Sequence, residues 1–164
     1  MGIIINKSDF IGEYALVKSN SDDINLFIEK YEKEILSQLM GSDLLVLFQA
    51  NLVAQIPITQ IYLDIYNAFV KKVNGYTVES TGLKDMCLAY VYFYYLRKLK
   101  VKASMNGAVV NETENATQSN PTFLIPIYNR AIRTFKNIQY FIGADQADSY
   151  PAFVTVYKDY TSIL

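Results

Sequence analysis

The sequence contains no histidine and no tryptophan, and only one cysteine, Cys87, in 164 residues. Without histidine there is no Ser-His-Asp triad, no His-ligated zinc or haem, and no general base whose ordinary pKa lies near neutrality. One cysteine rules out an intramolecular disulfide and any CxxC redox or metal site. Lys and Arg (15) nearly balance Asp and Glu (16), for a net charge of −1, so the broad electrostatic reason to bind nucleic acid or an anionic membrane is missing. No apolar run approaches the roughly 18 residues that a membrane span requires. The opening Ile3-Ile4-Ile5 is cut short by Asn6-Lys7-Ser8-Asp9, and position 6 lacks the Ser or Thr of a myristoylation signal. The expectation is a soluble, intracellularly made protein with no cofactor, metal or membrane partner.

What is abundant is aromatic: 14 Tyr and 9 Phe. Tyrosine tolerates half-burial and is enriched where proteins meet, but it also fills small helical cores.

Residues 3 to 20 read as a mixed lead-in, with 8–16 either a short helix capped by Ser8 or Asp9 or an irregular arm. Asp22 and Asp23 open the first clear helix. There Ile24, Phe27, Ile28, Tyr31, Ile35, Leu36 and Leu39 form a stripe, with Glu29, Lys30, Glu32, Lys33 and Glu34 mostly on the solvated side. Gly41 ends it and Ser42-Asp43 caps a second, shorter helix, as at a sharp helical corner. A third amphipathic stretch starts after Pro57 and Thr59 and runs through Phe69, before a turn at Asn74-Gly75. From Gly82 to Lys100 the helix is apolar nearly all round, and must be covered on several sides, by its own domain or by a partner. Cys87 lies on its stripe as a small buried hydrophobe. Its last turn carries the basic patch Arg97, Lys98, Lys100 and Lys102, which complements the helix dipole or serves as half of an interface.

Residues 103 to 122 hold four Asn, three Thr, two Ser and no aromatic. They suit either a surface loop or an arm that pairs with another chain, with a hairpin tip at Asn106-Gly107. Asn120-Pro121 begins the last long helix, with Pro126 in its first turn. Its buried stripe includes Phe123, Ile127, Tyr128, Ala131, Ile132, Phe135, Ile138 and Ile142, and Gly143 ends it. Arg130, Arg133 and Lys136 lie on the outer side. Tyr150, Phe153, Tyr157 and Tyr160 mark a helix-spaced aromatic tail over 146–164.

The expected architecture is a single all-α domain over 1–164: a compact bundle of about five helices with an extended arm and a C-terminal tail. No phosphate-binding glycine loop, nucleophile elbow or EF-hand loop is present, so an enzyme is not expected. Interface residues are expected at Tyr92, Tyr95, Asn106, Val109, Val110, Asn111, Tyr157 and Tyr160.

Several segments carry a family resemblance. Ser8-Asp9-Phe10-Ile11-Gly12-Glu13-Tyr14 comes first, then Ile28-Glu29-Lys30-Tyr31-Glu32-Lys33-Glu34-Ile35-Leu36 running into Leu39-Met40-Gly41. An aromatic helix around Tyr90 to Tyr95 follows, then a polar loop, and finally Tyr128-Asn129-Arg130-Ala131 and Ile138-Gln139-Tyr140-Phe141-Ile142. In this order the chain resembles the small head–tail connector (adaptor, head-completion) proteins of tailed bacteriophages, those of crAss-like phages in particular. The resemblance implies a virion protein made in the host cytoplasm and placed at the head–tail junction, in a homo-oligomeric ring of about twelve copies. Its partners would be the portal protein and tail or further connector proteins, with DNA passing through without specific binding. No catalytic residues come with the resemblance. The alternative is a small helical regulatory or nucleic-acid-binding module using the 97–102 cluster.

Overall fold

The computed structural model describes residues 2–16, 23–99, 101–104, 107–110, 124–144 and 149–153, and within these the backbone alone at 99, 101–104 and 107–110. Helix α1 (Ile24–Phe27) passes through a π-helical turn (Ile28–Glu32) into α2 (Lys33–Ala50). After these come β1 (Leu52–Val53), β2 (Ile56–Pro57), α3 (Gln60–Tyr66), β3 (Phe69–Val73), β4 (Tyr76–Ser80), α4 (Leu83–Leu99), β5 (Val101–Ser104), β6 (Gly107–Val110) and α5 (Leu124–Ala144).

The all-α expectation is therefore corrected: among the described residues, three two-stranded antiparallel ladders, β1–β2, β3–β4 and β5–β6, accompany the helices. The third amphipathic stretch does not reach Phe69. Asn67, at φ −78° and ψ 158°, already turns the chain extended, and Phe69-Val70-Lys71-Lys72-Val73 pairs with Tyr76–Ser80 across the Asn74-Gly75 turn. Both turn residues have left-handed φ, 48° and 83°, the geometry that matches the twist of a two-residue hairpin.

Gly41 does mark a break. Its φ of 77° and ψ of 171° lie outside helical space, a conformation open to glycine because it carries no Cβ. The two halves of α2 nevertheless follow each other directly, burying Ile35, Leu36, Leu39 and Met40 before the kink and Leu44, Leu45 and Phe48 after it. Asp23 makes no side-chain cap bond to α1.

Helix α4 is the centre of the molecule. Every residue from Met86 to Phe93 is buried, and the chain itself supplies the cover that an all-round apolar helix demands. One neighbour is α5, which buries Ile127, Tyr128, Ala131, Ile132, Phe135 and Ile138 with Pro126 in its first turn, as its periodicity predicts. Many of the aromatic rings gather around α4, against the π-helical turn on one side and α5 on another. Tyr31 stacks on Tyr94 at 4.3 Å between centroids, and Phe93 meets Tyr128 at 4.6 Å.

The segment expected as an extended arm begins as the β5–β6 hairpin, with Ser104 paired to Gly107. Gly107 thus belongs to the strand β6, and residues 105, 106 and 111–123, with Asn106 of the expected tip among them, lie outside the described residues. Of the tail, Tyr150 is buried and its hydroxyl donates to the Ile61 carbonyl, while Phe153 lies against Gly143.

Candidate protein-docking surface

The N-terminal lead-in is neither a regular helix nor a free arm. It makes two short 3-10 turns, Lys7–Asp9 and Gly12–Tyr14, and buries Ile4, Ile5, Phe10 and Tyr14. Its anchor is Glu32, the last residue of the π-helical turn and only 1% exposed. This overturns the reading of Glu32 as part of a solvated helix face. One carboxylate oxygen, Oε2, accepts from the Ile3 N–H at 2.5 Å; the other, Oε1, accepts from Ile4 and Ile5 at 2.7 and 2.9 Å. Burial raises the Glu32 carboxyl above its ordinary pKa, and the three N–H donors partly offset that rise. Gly2 is needed at the same spot. A Cβ there would stand 2.6 Å from both Glu32 Oε2 and Ile28 Cγ2, and closer still to the Ile5 carbonyl.

A second polar knot ties the lead-in to α4 and α5. The Tyr14 hydroxyl donates to Asp85 Oδ1 at 2.6 Å and accepts from Arg130 at 2.5 Å. Arg130 also holds Glu13 at 2.6 Å and approaches Asp85 at 3.5 Å. Burial, then the Asp85 carboxylate, raises the Tyr14 phenol; the bond to Glu13 leads the causes that raise Arg130. Tyr14 thus stays protonated and Arg130 charged at any working pH, and the knot holds three elements together.

Cys87 is fully buried, and burial followed by the Glu32 charge pushes its thiol well up. It packs as an inert hydrophobe. No group of His, Cys, Asp or Glu able to hold a metal occurs among the described residues. None of the helices described there is long and apolar enough to cross a membrane.

The residues expected at an interface are scattered. Tyr92 and Tyr95 are 7% and 1% exposed. Tyr92 meets Tyr14 edge-on at 5.7 Å and Tyr95 meets Phe27 at 5.4 Å, so the chain itself covers both rings. Val109 and Val110 fall in β6, opposite Lys102 and Val101. Asn106, Asn111, Tyr157 and Tyr160 lie outside the described residues. Of the basic patch, Arg97 and Lys98 are exposed at the end of α4, with Lys98 Nζ 5.1 Å over the Phe27 ring. Lys102 belongs to β5, and Lys100 lies outside the described residues.

The exposed apolar surface lies elsewhere. From Leu44 to Leu63 the chain has no charged residue, in a sequence that is 19% charged. This run forms the second half of α2, the β1–β2 hairpin and most of α3. In the hairpin, Leu52 pairs with Pro57 and Val53 with Ile56, and the Ile58 N–H extends the ladder to the Asn51 carbonyl. Side chains alternate across a strand. Pro57 therefore turns inward, while Val53, Ile56 and Ile58 share the outer face, 61%, 52% and 66% exposed. Val46 and Leu47 on α2 are exposed as well. Isolated exposed apolar residues are ordinary, but three on one face of one hairpin, in a stretch of sequence without charge, fit a surface covered by another protein. The long stretch without charge was the sequence signal for this face. Further exposed apolar side chains, Val70, Tyr76 and Tyr140, belong to β3, β4 and α5.

Comparison with protein-family models, with curated proteins and with solved structures returned no match to this chain.

Proposed function

We propose that this protein is a structural assembly subunit, a head–tail connector of a tailed phage that forms a ring with copies of itself and joins the portal to the tail. The observation that carries the reading is the apolar outer face of the β1–β2 hairpin, where Val53, Ile56 and Ile58 stand exposed within a stretch of sequence that has no charge. A second copy of the chain covers it. A cyclic ring with head-to-tail contacts needs two different surfaces per subunit, and the exposed apolar side chains outside this run, such as Val70 on β3, supply candidates for the other. The resemblance noted in the sequence supplies the biological setting. The polar groups support a binding role over catalysis: Glu32, Tyr14, Asp85 and Arg130 are spent on internal contacts that fix the scaffold.

Sedimentation velocity of the full chain, alone and with the portal protein of the same phage, tests the reading. The expected result is a concentration-dependent oligomer or a co-sedimenting complex, weakened about 30-fold or more by Ile56→Asp, as expected for loss of a central contact worth about 2 kcal/mol. An unchanged profile in Ile56→Asp contradicts the assignment of this face. DNA binding with a steep salt dependence, lost on changing Arg97 and Lys98 to Ala, would favour the nucleic-acid-binding alternative.

A further inference from the structure

The hairpin that carries this face has an unusual turn. Ala54 and Gln55 have φ of 49° and 67°. Two-residue hairpin turns of this left-handed kind favour Asn-Gly or Gly-Gly, and side chains with a Cβ resist the conformation. A ladder of two strand pairs is also marginal by itself. Something outside the hairpin must hold it.

The lead-in does so. Gln55 Nε2 donates to the Gly2 carbonyl at 3.0 Å and reaches Asn6 Oδ1 at 3.4 Å, while the Asn6 amide donates back to Gln55 Oε1. Gly2 and Asn6 flank the three residues whose N–H groups converge on buried Glu32. Asn6 is further fixed by its own N–H, which donates to Asp9 at 2.8 Å, and Asp9 pairs with Lys84 of α4 at 2.7 Å. At the other end of the hairpin, Asn51 Oδ1 accepts from the Ile58 and Thr59 N–H groups at 3.1 and 3.0 Å. The tip is therefore clamped to the domain through one glutamine, and the clamp in turn hangs on Glu32.

We propose that residues 2–6 act as a positioning strap. Latched on Glu32, they hold the strained Ala54-Gln55 turn through Gln55 and so set Val53, Ile56 and Ile58 in the geometry that receives a second copy of this chain. The inference rests on the reading of that face as the self-assembly surface. Strain that persists at a surface turn, kept in place by contacts from a distant segment, is expected where a local conformation serves binding.

The test uses the whole 164-residue chain in a light-scattering concentration series, with amide hydrogen exchange across 52–58. Gln55→Ala removes the whole clamp and keeps the strain; Asn6→Ala removes its side-chain bonds and leaves Gln55 on the Gly2 carbonyl. Gln55→Ala should weaken self-association by at least tenfold and Asn6→Ala by less, and both should speed exchange in the hairpin, while exchange in α4 stays at the wild-type rate. In Ala54→Asn/Gln55→Gly the clamp is also gone, but the turn holds its own shape, so association should return to within about threefold of wild type. Association as strong as wild type in Gln55→Ala, or no recovery in the double variant, overturns the strap. If Ile56→Asp abolishes association while Gln55→Ala leaves it intact, the docking face stands and the strap alone falls. If Ile56→Asp has no effect, or the wild type does not self-associate, the face itself is refuted and the strap with it.

Discussion

Replacing Glu32 by glutamine isolates the interaction that folds the lead-in onto the domain. The side-chain volume is kept. The amide oxygen takes the place of Oε1, where Ile4 and Ile5 donate at 2.7 and 2.9 Å, and the NH2 is left facing the Ile3 N–H, which donates to Oε2 at 2.5 Å. A donor then meets a donor. An unsatisfied Ile3 N–H costs about 1–3 kcal/mol; at neutral pH relief of carboxylate burial, which outweighs the three N–H donors in raising that carboxyl, offsets much of it, so the net loss reaches about 2 kcal/mol only towards acid. With an m-value of about 2 kcal/mol/M, the urea midpoint there falls by about 1 M, and the Ile3, Ile4 and Ile5 amides exchange faster than those of α4. The loss also depends on pH. The folded carboxyl has a raised pKa, so the folded wild type binds more protons than the unfolded chain just above the ordinary carboxyl range. Its contribution is present in full below that range and declines as pH rises through the folded value. The variant lacks this titration, so the gap between the two widens as pH is lowered. A loss still under about 0.5 kcal/mol in acid with the three amides protected, or a gap that narrows towards acid, would refute the latch.

Other consequences are local. Gly2→Ala places a Cβ within 2.6 Å of Glu32 Oε2 and Ile28 Cγ2, and calorimetry should find about 1–3 kcal/mol of lost stability from overpacking. Tyr95→Ala should cost about 3–5 kcal/mol in chemical unfolding, because the ring is buried by the chain's own α1; a change confined to self-association would show that this burial is misassigned. A double-mutant cycle of Tyr14→Phe and Asp85→Asn should return a coupling of about 0.5–3 kcal/mol for the 2.6 Å bond between them, and purely additive losses would contradict it.

The long helices were legible because their periodicity is long. α5 buries the residues that a 3.6-residue repeat selects, with Pro126 in its first turn, where it is tolerated, and α4 is buried all round over Met86–Phe93, as its nearly unbroken apolar run demands. The ladders were not legible, because strands of two to five residues give too few alternations to read, and Phe69 extended the helical spacing of Ile61, Ile65 and Tyr66 by chance. Asn74-Gly75 was recognised as a turn, yet without its strands it named no hairpin. Glu32 was misplaced although its spacing was informative: it lies four residues after Ile28 and three or four before Ile35 and Leu36, all buried. A charge on an apolar stripe needs a partner, and the partner was main chain 27–29 residues away. The docking face escaped for a related reason. Aromatic rings are the conspicuous candidates in this composition, yet the domain uses Tyr92 and Tyr95 for its own interior, while Val53, Ile56 and Ile58 are ordinary residues whose exposure depends on a turn that no glycine announces.

Native mass spectrometry of the full chain over a range of concentrations, beside Ile56→Asp, bears most directly on self-assembly through the uncharged face. The account predicts multiples of 18.7 kDa that increase with concentration in the wild type and collapse to the single-chain mass in the variant. A wild-type chain that stays at the single-chain mass throughout, with or without the portal, contradicts it.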